Sequence, residues 1–226
     1  MSAMSALRLV RLFPLPDVVL LPETTLPLHV FEERYRRMLA DALDSDRLIG
    51  MQLLGGSGSG SGDGRPSVRA IGCAGEVVRH EPLEDGRSNI LLRGAFRYRI
   101  EREPATDAPY RVAEVTVLPV APLPASAAGG SGPARLRSLL VEGVRRLADS
   151  AGRRGARELS RRLSDEGLVN EAASRLGLDA EESYRVLAMD RLEDRYAWVL
   201  ARIEGVQKRL DLLGPFRRPG GDARWN

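Results

Sequence analysis

Residues 12–39 read LFPLPDVVLLPETTLPLHVFEERYRRML. Prolines at 14, 16, 22 and 27 divide this stretch into short apolar pieces. A proline has no N–H and biases the preceding residue toward extended geometry. The stretch therefore predicts short extended segments joined by turns, running into a helix that starts near Phe31. Phe31, Tyr35, Met38 and Ala42 recur at helical spacing and form the expected inward stripe. Glu33, Arg34, Arg37 and Asp41 fall off that stripe and are expected to face solvent or a partner.

Toward the N-terminus, Leu7 to Phe13 reads as a strand, with Val10 and Leu12 on one side and Leu7, Leu9 and Arg11 on the other. Toward the C-terminus, Arg47 to Leu54 is an apolar run of the kind a buried strand shows. The tract GGSGSGSGDG at 55–64 has almost nothing to bury and reads as a hairpin connection. It contains no G-x-G-x-x-G and no lysine follows it, so it is not a phosphate loop. Val68 to Val78 is the next strand, and its Gly72 and Gly75 predict a bulge or a close backbone approach. Asp85-Gly86 marks a tight turn. Asn89 to Arg93 and Ala95 to Arg102 follow as strands. In the second of these Phe96, Tyr98 and Ile100 share one face, while Arg97, Arg99 and Glu101 share the opposite, solvated one. Tyr110 to Leu118 closes this half. Several short strands at such spacing predict a bent sheet or small barrel.

Residues 119–133, PVAPLPASAAGGSGP, carry four prolines and three glycines and read as a linker. Beyond it the pattern is helical. Ala134 to Ser150 carries Leu136, Leu140, Val144 and Leu147 on one stripe. Glu158 to Leu163 and Leu168 to Leu176 are shorter helices. Asp179 with Glu182 is a capping box, and Asp190 with Glu193 repeats the spacing. The final helix carries Leu192, Tyr196, Val199, Ile203, Val206, Leu210 and Leu213 as a packing seam inside a helical bundle. Gly214-Pro215 ends it. The expected organisation is a β-rich part at 1–118, the linker at 119–133, a helical part at 134–214 and a disordered tail at 215–226.

The order Leu12-Phe13-Pro14-Leu15, Val19-Leu20-Leu21-Pro22, Leu26-Pro27-Leu28-His29-Val30-Phe31-Glu32, then Arg34-Tyr35 and Met38, resembles the opening of the Lon protease N-terminal, substrate-binding domain. The resemblance returns at VLAMDRLEDRYAWVLARIE, residues 186–204. It implies an α+β fold: a PUA-like small barrel or bent sheet with one helix, then a C-terminal helical bundle. Full-length Lon proteases couple this kind of domain to an ATPase module and a Ser-Lys peptidase module; a stand-alone relative without them is expected here, on the residues that follow.

The residues speak to the same point. An ATPase needs a phosphate loop ending in Lys-Ser/Thr, and the only lysine of the 34 basic residues, Lys208, lies between Gln207 and Arg209. A Ser-Lys peptidase needs a serine beside its lysine, and Lys208 has none near it in sequence. No G-x-S-x-G elbow occurs. His80-Glu81 lacks the second histidine of a zinc protease. His29 is expected to be partly buried and hydrogen-bonded, and His80 solvated. Cys73 is the only cysteine, so no internal disulfide can form, and its small neighbours make it a buried hydrophobe. The N-terminus has no signal pattern and no run approaches a membrane span. A cytoplasmic protein without metal or cofactor is expected.

With 226 residues, 43% hydrophobic and 29% charged, the chain has an ordinary globular composition. A net charge of +3 is too small to imply nucleic acid. The function these features predict is a non-catalytic module that holds unfolded polypeptide segments or a partner protein. The expected contact region is Leu26, Leu28, Glu32, Glu33, Arg34 and Arg37. The alternatives are RNA binding through Arg97, Arg99 and the nearby Arg93 and Arg102, and, third, a hydrolase whose site is not visible in the residues.

Overall fold

The computed structural model describes residues 7–55, 65–123, 133–147 and 162–213. Six strands and one helix come first: β1 (Leu7–Leu15), β2 (Thr25–Val30), α1 (Glu33–Leu43), β3 (Leu48–Leu53), β4 (Ile71–Pro82), β5 (Ser88–Arg102) and β6 (Arg111–Val117). Helices follow: α2 (Pro133–Leu147), α3 (Asp165–Ser174), α4 (Ala180–Ala188) and α5 (Leu192–Leu213). The fold is α+β.

The sheet runs β2-β5-β4-β3-β1-β6, and β5 also pairs with β6. Five strands thus form a ring, with β2 attached outside it. β1 and β3 are parallel and every other pair is antiparallel. β2 is an edge strand among the described residues, which is where Pro27 can sit without costing a ladder hydrogen bond.

β5 is one strand, where the sequence predicts two. Ser88 to Arg93 pairs with β2, and Tyr98 to Arg102 pairs with β6. The change of partner occurs beside Gly94. Its N–H donates to Thr24 O at 2.9 Å, and its carbonyl accepts from Glu23 N at 2.8 Å. A Cβ at Gly94 would lie 2.1 Å from Leu21 O, so only glycine lets the β1–β2 loop cross here. The expected bulge is present as a register shift between Ala74 and Gly75.

Two apolar clusters result. Val10, Leu12, Ala74, Tyr98, Ala113 and Val115 fill the ring, with Phe96 and Ile100 against them. The alternation of Phe96, Tyr98 and Ile100 is therefore as read. The Tyr98 hydroxyl donates to Gln52 Oε1 at 2.8 Å, so the ring interior holds its polar atom on an internal partner. The larger cluster begins at Phe13, Tyr35, Met38 and Leu39 and continues through Leu168, Val186, Leu192, Tyr196, Val199 and Ile203. One apolar cluster is thus shared by the strands, α1 and the helices.

α1 buries Tyr35, Met38, Leu39 and Ala42. Phe31 is the exception to the expected stripe. The helix starts at Glu33, and Phe31 is 60% exposed. Strand alternation persists to residue 31, so Phe31 shares the outer face with His29, and Leu39 takes the inward place. Glu32, expected in the first turn, is the N-cap and makes no side-chain cap bond.

In the helical part, Asp179 and Glu182 form the expected capping box of α4. α3 starts at Asp165, three residues before the expected Leu168, because Ser164 caps it through Gly167 N. The second expected box does not form the start of α5. That helix begins at Leu192, and Glu193 instead accepts from Arg191 at 2.8 Å. Leu192, Tyr196, Val199 and Ile203 are buried as predicted. α2 approaches α5 closely at Gly143, where a Cβ would meet Ile203 at 2.8 Å. The side chains of Leu136, Val144, Leu147, Leu210 and Leu213, most of the expected 158–163 helix, and residues 124–132 and 214–226 lie outside what the structure describes. Of the remaining linker residues, Val120 and Leu123 pack on the large cluster.

Candidate functional site

β2 alternates cleanly. Thr25, Pro27 and His29 are exposed, Leu26 and Leu28 are half-buried, and Val30 is buried. Leu26 and Leu28 therefore turn toward the core cluster, and they hold the strand in place from behind. The apolar group that reaches solvent beside them is Phe31. Its ring stacks on His29 at 6.1 Å. His29 is exposed and not partly buried, because it lies on the outer face of an edge strand. Its Nδ1 lies 2.8 Å from Asn89 Oδ1 on β5.

The charged residues singled out at the start of α1 follow Phe31 in the chain. Glu33, Arg34 and Arg37 are exposed and Glu32 is half-buried. Arg34 Nη2 lies 2.8 Å from Glu32 Oε2, and the Arg34 guanidinium covers the Tyr35 ring at 4.5 Å. Arg37 pairs with Asp41 one helical turn on, at 3.1 Å. The structure thus pairs Glu32 with Arg34 and Arg37 with Asp41, leaves Glu33 exposed, and exposes Phe31 two residues before the helix. Sequence reasoning missed Phe31. The signal that could have found it is the period-two pattern Thr25, Pro27, His29, Phe31.

This face stands on a fixed support. The β1–β2 loop is pinned by the helices: Asn170 Nδ2 donates to Pro22 O at 3.1 Å, and Ser164 N donates to Glu23 at 3.3 Å. The Ser164 hydroxyl also donates to Glu23. Glu23 adopts φ +62°, a left-handed conformation that costs a non-glycine residue energy. Its carboxylate sits at the N-terminus of α3, where the helix dipole favours negative charge.

On the other side of Arg34 lies a groove of about 220 Å³, walled by Pro14, Tyr35, Leu54, Pro66, Pro109 and Tyr110 among others. It adjoins a second lobe of about 430 Å³ through Arg65, Ala108, Tyr110 and Arg111. The Tyr110 hydroxyl donates to Asp41 at 2.7 Å. That bond is the largest cause holding the Asp41 carboxyl below its usual range. Burial first, and then Asp41, raises Tyr110, so its hydroxyl remains a donor.

The Arg-bearing strand is arranged differently from expectation. Arg97 does not face solvent with Arg99. Its side chain is 0% exposed, and its Nη1 donates to Leu187 O at 2.9 Å and Met189 O at 3.0 Å. Asp190 lies 3.4 Å away. Arg195 of α5 is equally buried and donates to Met189 O and to Glu166 at 2.8 Å each. Burial, and then the neighbouring Arg195, lowers the Arg97 pKa. Arg97 Nε and Nη2 have no hydrogen-bond partner among the described residues. This cluster joins strand to helices and leaves no Arg97 surface for RNA.

Cys73 is buried, and burial raises its thiol pKa, which suits a packing role. His80 is exposed as expected, with Nε2 3.1 Å from Ser88 Oγ. Among the described residues no group of three or more His, Cys, Asp or Glu could hold a metal ion. Nor is any described helix long and apolar enough to cross a membrane.

Comparison with known proteins gives this geometry a context. The chain is similar to a Lon protease of Cytophaga hutchinsonii, 29% identical over 110 residues, which is 47% of this chain and 13% of that protein. The chain thus spans a small part of that relative. The crystal structure of a Lon N-terminal domain protein from Xanthomonas campestris superposes with a TM-score of 0.60 at 24% identity, covering 86% of this chain and 98% of the other. The N-terminal domain of Mycobacterium avium complex Lon protease gives 0.67 at 14% identity, covering 87% and 98%. Both are likenesses of fold. The family of the ATP-dependent protease La (LON) substrate-binding domain matches residues 10–204, strands and helices together, and the chain belongs to that family.

Proposed function

We propose that this protein is a non-catalytic binding module that holds unfolded polypeptide segments or a partner protein on the outer face of β2 and α1. The observation that carries the reading is Phe31: an aromatic ring 60% exposed, stacked on His29, at the end of a strand braced by the core. Aromatic rings supply large contact area at low ordering cost, and charged residues around them make the rim of an interface. Glu32, Glu33, Arg34 and Arg37 form that rim, while Leu26 and Leu28 hold the strand that presents the ring. The assignment as non-catalytic rests on the residues, which include no phosphate loop and no serine beside the one lysine. The single buried thiol suits a reducing cytoplasm.

The RNA alternative loses Arg97, its central residue, to the buried cluster. The polypeptide reading is tested with a labelled, permanently unfolded protein titrated by fluorescence anisotropy. Phe31→Ser should weaken binding several-fold while the melting temperature stays within a degree or two of wild type. Unchanged binding in this variant would rule out the face.

A further inference from the structure

We propose that the open edge of β2 takes up an extended segment of another polypeptide as one more strand of the sheet. The inference rests on the polypeptide-binding reading and states how the segment is held. Its first basis is the direction of the backbone groups. In an antiparallel ladder, alternate residues turn both N–H and C=O toward the same neighbour. The Thr24 carbonyl accepts from Gly94 N at 2.9 Å, so residue 24 faces β5. The register runs without a shift from Thr25 opposite Arg93 to Val30 opposite Ser88, so Leu26, Leu28 and Val30 face β5 as well. Thr25, Pro27 and His29 then turn their groups to the open edge, and all three residues are exposed. Pro27, which has no N–H to give, falls on the side where the ladder needs none. The N–H groups of Thr25 and His29 and the carbonyls of Thr25, Pro27 and His29 have no hydrogen-bond partner among the described residues. Such a row is a template for pairing with another chain.

The second basis is Pro27, which decides between occupants. A two-fold pairing of β2 with its own copy that includes Pro27 meets the missing donor twice, once from each chain. A guest strand from another polypeptide meets it once, and the guest carbonyl opposite Pro27 keeps its water because the edge is exposed.

The third basis is the side chains a guest would lie against. A strand beside β2 sets alternate side chains next to Leu26 and Leu28 on one face, and next to His29 and the Phe31 ring on the other. Leu26 and Leu28 are half-buried and Phe31 is exposed, so both faces offer apolar contact. The segment that suits them is rich in β-branched and aromatic residues and poor in proline. Segments of that kind lie inside folded proteins and reach solvent when those proteins unfold.

The test uses a labelled peptide of alternating valine and threonine. Its partner is the same peptide N-methylated on two adjacent central residues, which keeps the side chains and removes a donor from each edge. The full-length protein should bind the unmodified peptide about tenfold more tightly. Amide exchange in the wild-type protein reads the edge directly. With the unmodified peptide at about ten times its Kd, exchange at Thr25 and His29 should slow about tenfold. Thr25→Pro, which removes an outward donor, should weaken binding several-fold, and Pro27→Val, which supplies one, should strengthen it. Equal binding of the two peptides, or unchanged exchange at Thr25 and His29 with peptide bound, would overturn strand addition and leave the polypeptide reading to stand on Phe31→Ser. If neither peptide binds while an unfolded protein is still captured, strand addition falls alone. If the unfolded protein is not captured either, both fall. Wild-type dimers in sedimentation, with the same amides protected in the absence of peptide, would assign the edge to a second copy and overturn the proposal.

Discussion

Arg97 and Arg195 stand in contrast to Arg34 and Arg37. The first two side chains are 0% exposed, and the second two are 53% and 68% exposed. The buried pair meets backbone carbonyls at the end of α4 and in the α4–α5 turn, and Glu166. The exposed pair meets neighbouring carboxylates in water. An exposed ion pair contributes about 0–1 kcal/mol, because solvent and side-chain entropy offset the attraction. A buried guanidinium is held by its partners, and removing one partner strands the other. The same residue type therefore ties strand to helices where it is buried and lies on an open surface where it is not.

The largest expected effect lies at the buried end. Arg195→Ala leaves the Glu166 carboxylate, only 13% exposed, without its cation, and should cost about 3–5 kcal/mol. Arg97→Met should cost less. It removes a cation two of whose nitrogens have no partner among the described residues, Met189 O keeps its bonds from Arg195, and Asp190 is 68% exposed to water. Denaturant unfolding of both variants checks the order. A larger loss for Arg97→Met would mean that the strand-side arginine holds the junction.

A middle effect tests the half-buried pair between these extremes. Tyr110→Phe removes the hydroxyl that holds the Asp41 carboxyl low. A carboxyl depressed in the folded state contributes stability that is present above its unfolded pKa of about 3.9 and is lost as pH falls through the folded value. Wild type should therefore exceed Tyr110→Phe at neutral pH, by less than about 1 kcal/mol because Asp41 is partly exposed. The difference should vanish in acid below the folded-state pKa of Asp41. Melting curves across that range measure it. A difference independent of pH would assign the effect to packing alone.

These contrasts also mark where the sequence could be read. The prolines of 12–39 restrict backbone locally, and the extended pieces they predict are there. The alternation of Phe96, Tyr98 and Ile100 and the Asp179–Glu182 box are likewise local signals, and the exposure of Glu33, Arg34 and Arg37 follows from helical period alone. Arg97 could not be read that way. Its partners lie about ninety residues on, at the end of α4 and just after it, and alternation says which face a residue takes but not what covers that face. Gly94 was hidden for the same reason, since the β1–β2 loop that crosses it is distant in sequence. Phe31 was misplaced because two periods compete at a strand-to-helix junction, and the strand period extends to residue 31. The groove was not legible at all, being built from β1, α1, Leu54, Arg65, Pro66 and the segment 103–112.

The smallest effect on stability is expected where the contrast is sharpest. Glu33→Arg combined with Arg37→Glu keeps one residue of each sign on the outer face of α1, but exchanges their places. The stability change should stay within about 0.5 kcal/mol, the usual range for exposed sites. Part of it has a definite source. Glu at position 37 would stand one turn before Asp41, in place of an attractive pair, and like charges at that spacing destabilise a helix by about 0.2–0.5 kcal/mol. Capture of an unfolded polypeptide should nevertheless weaken several-fold, because a rim recognises a partner through the order of its charges as well as their sum. Arg99→Glu is the matched control, since Arg99 is exposed on β5 and pairs across to Thr116 on a different side of the sheet ring. It should leave capture unchanged. If Arg99→Glu weakens capture and the exchange on α1 does not, the binding face lies on β5 and β6, and the exposed arginines of α1 are an ordinary solvated surface.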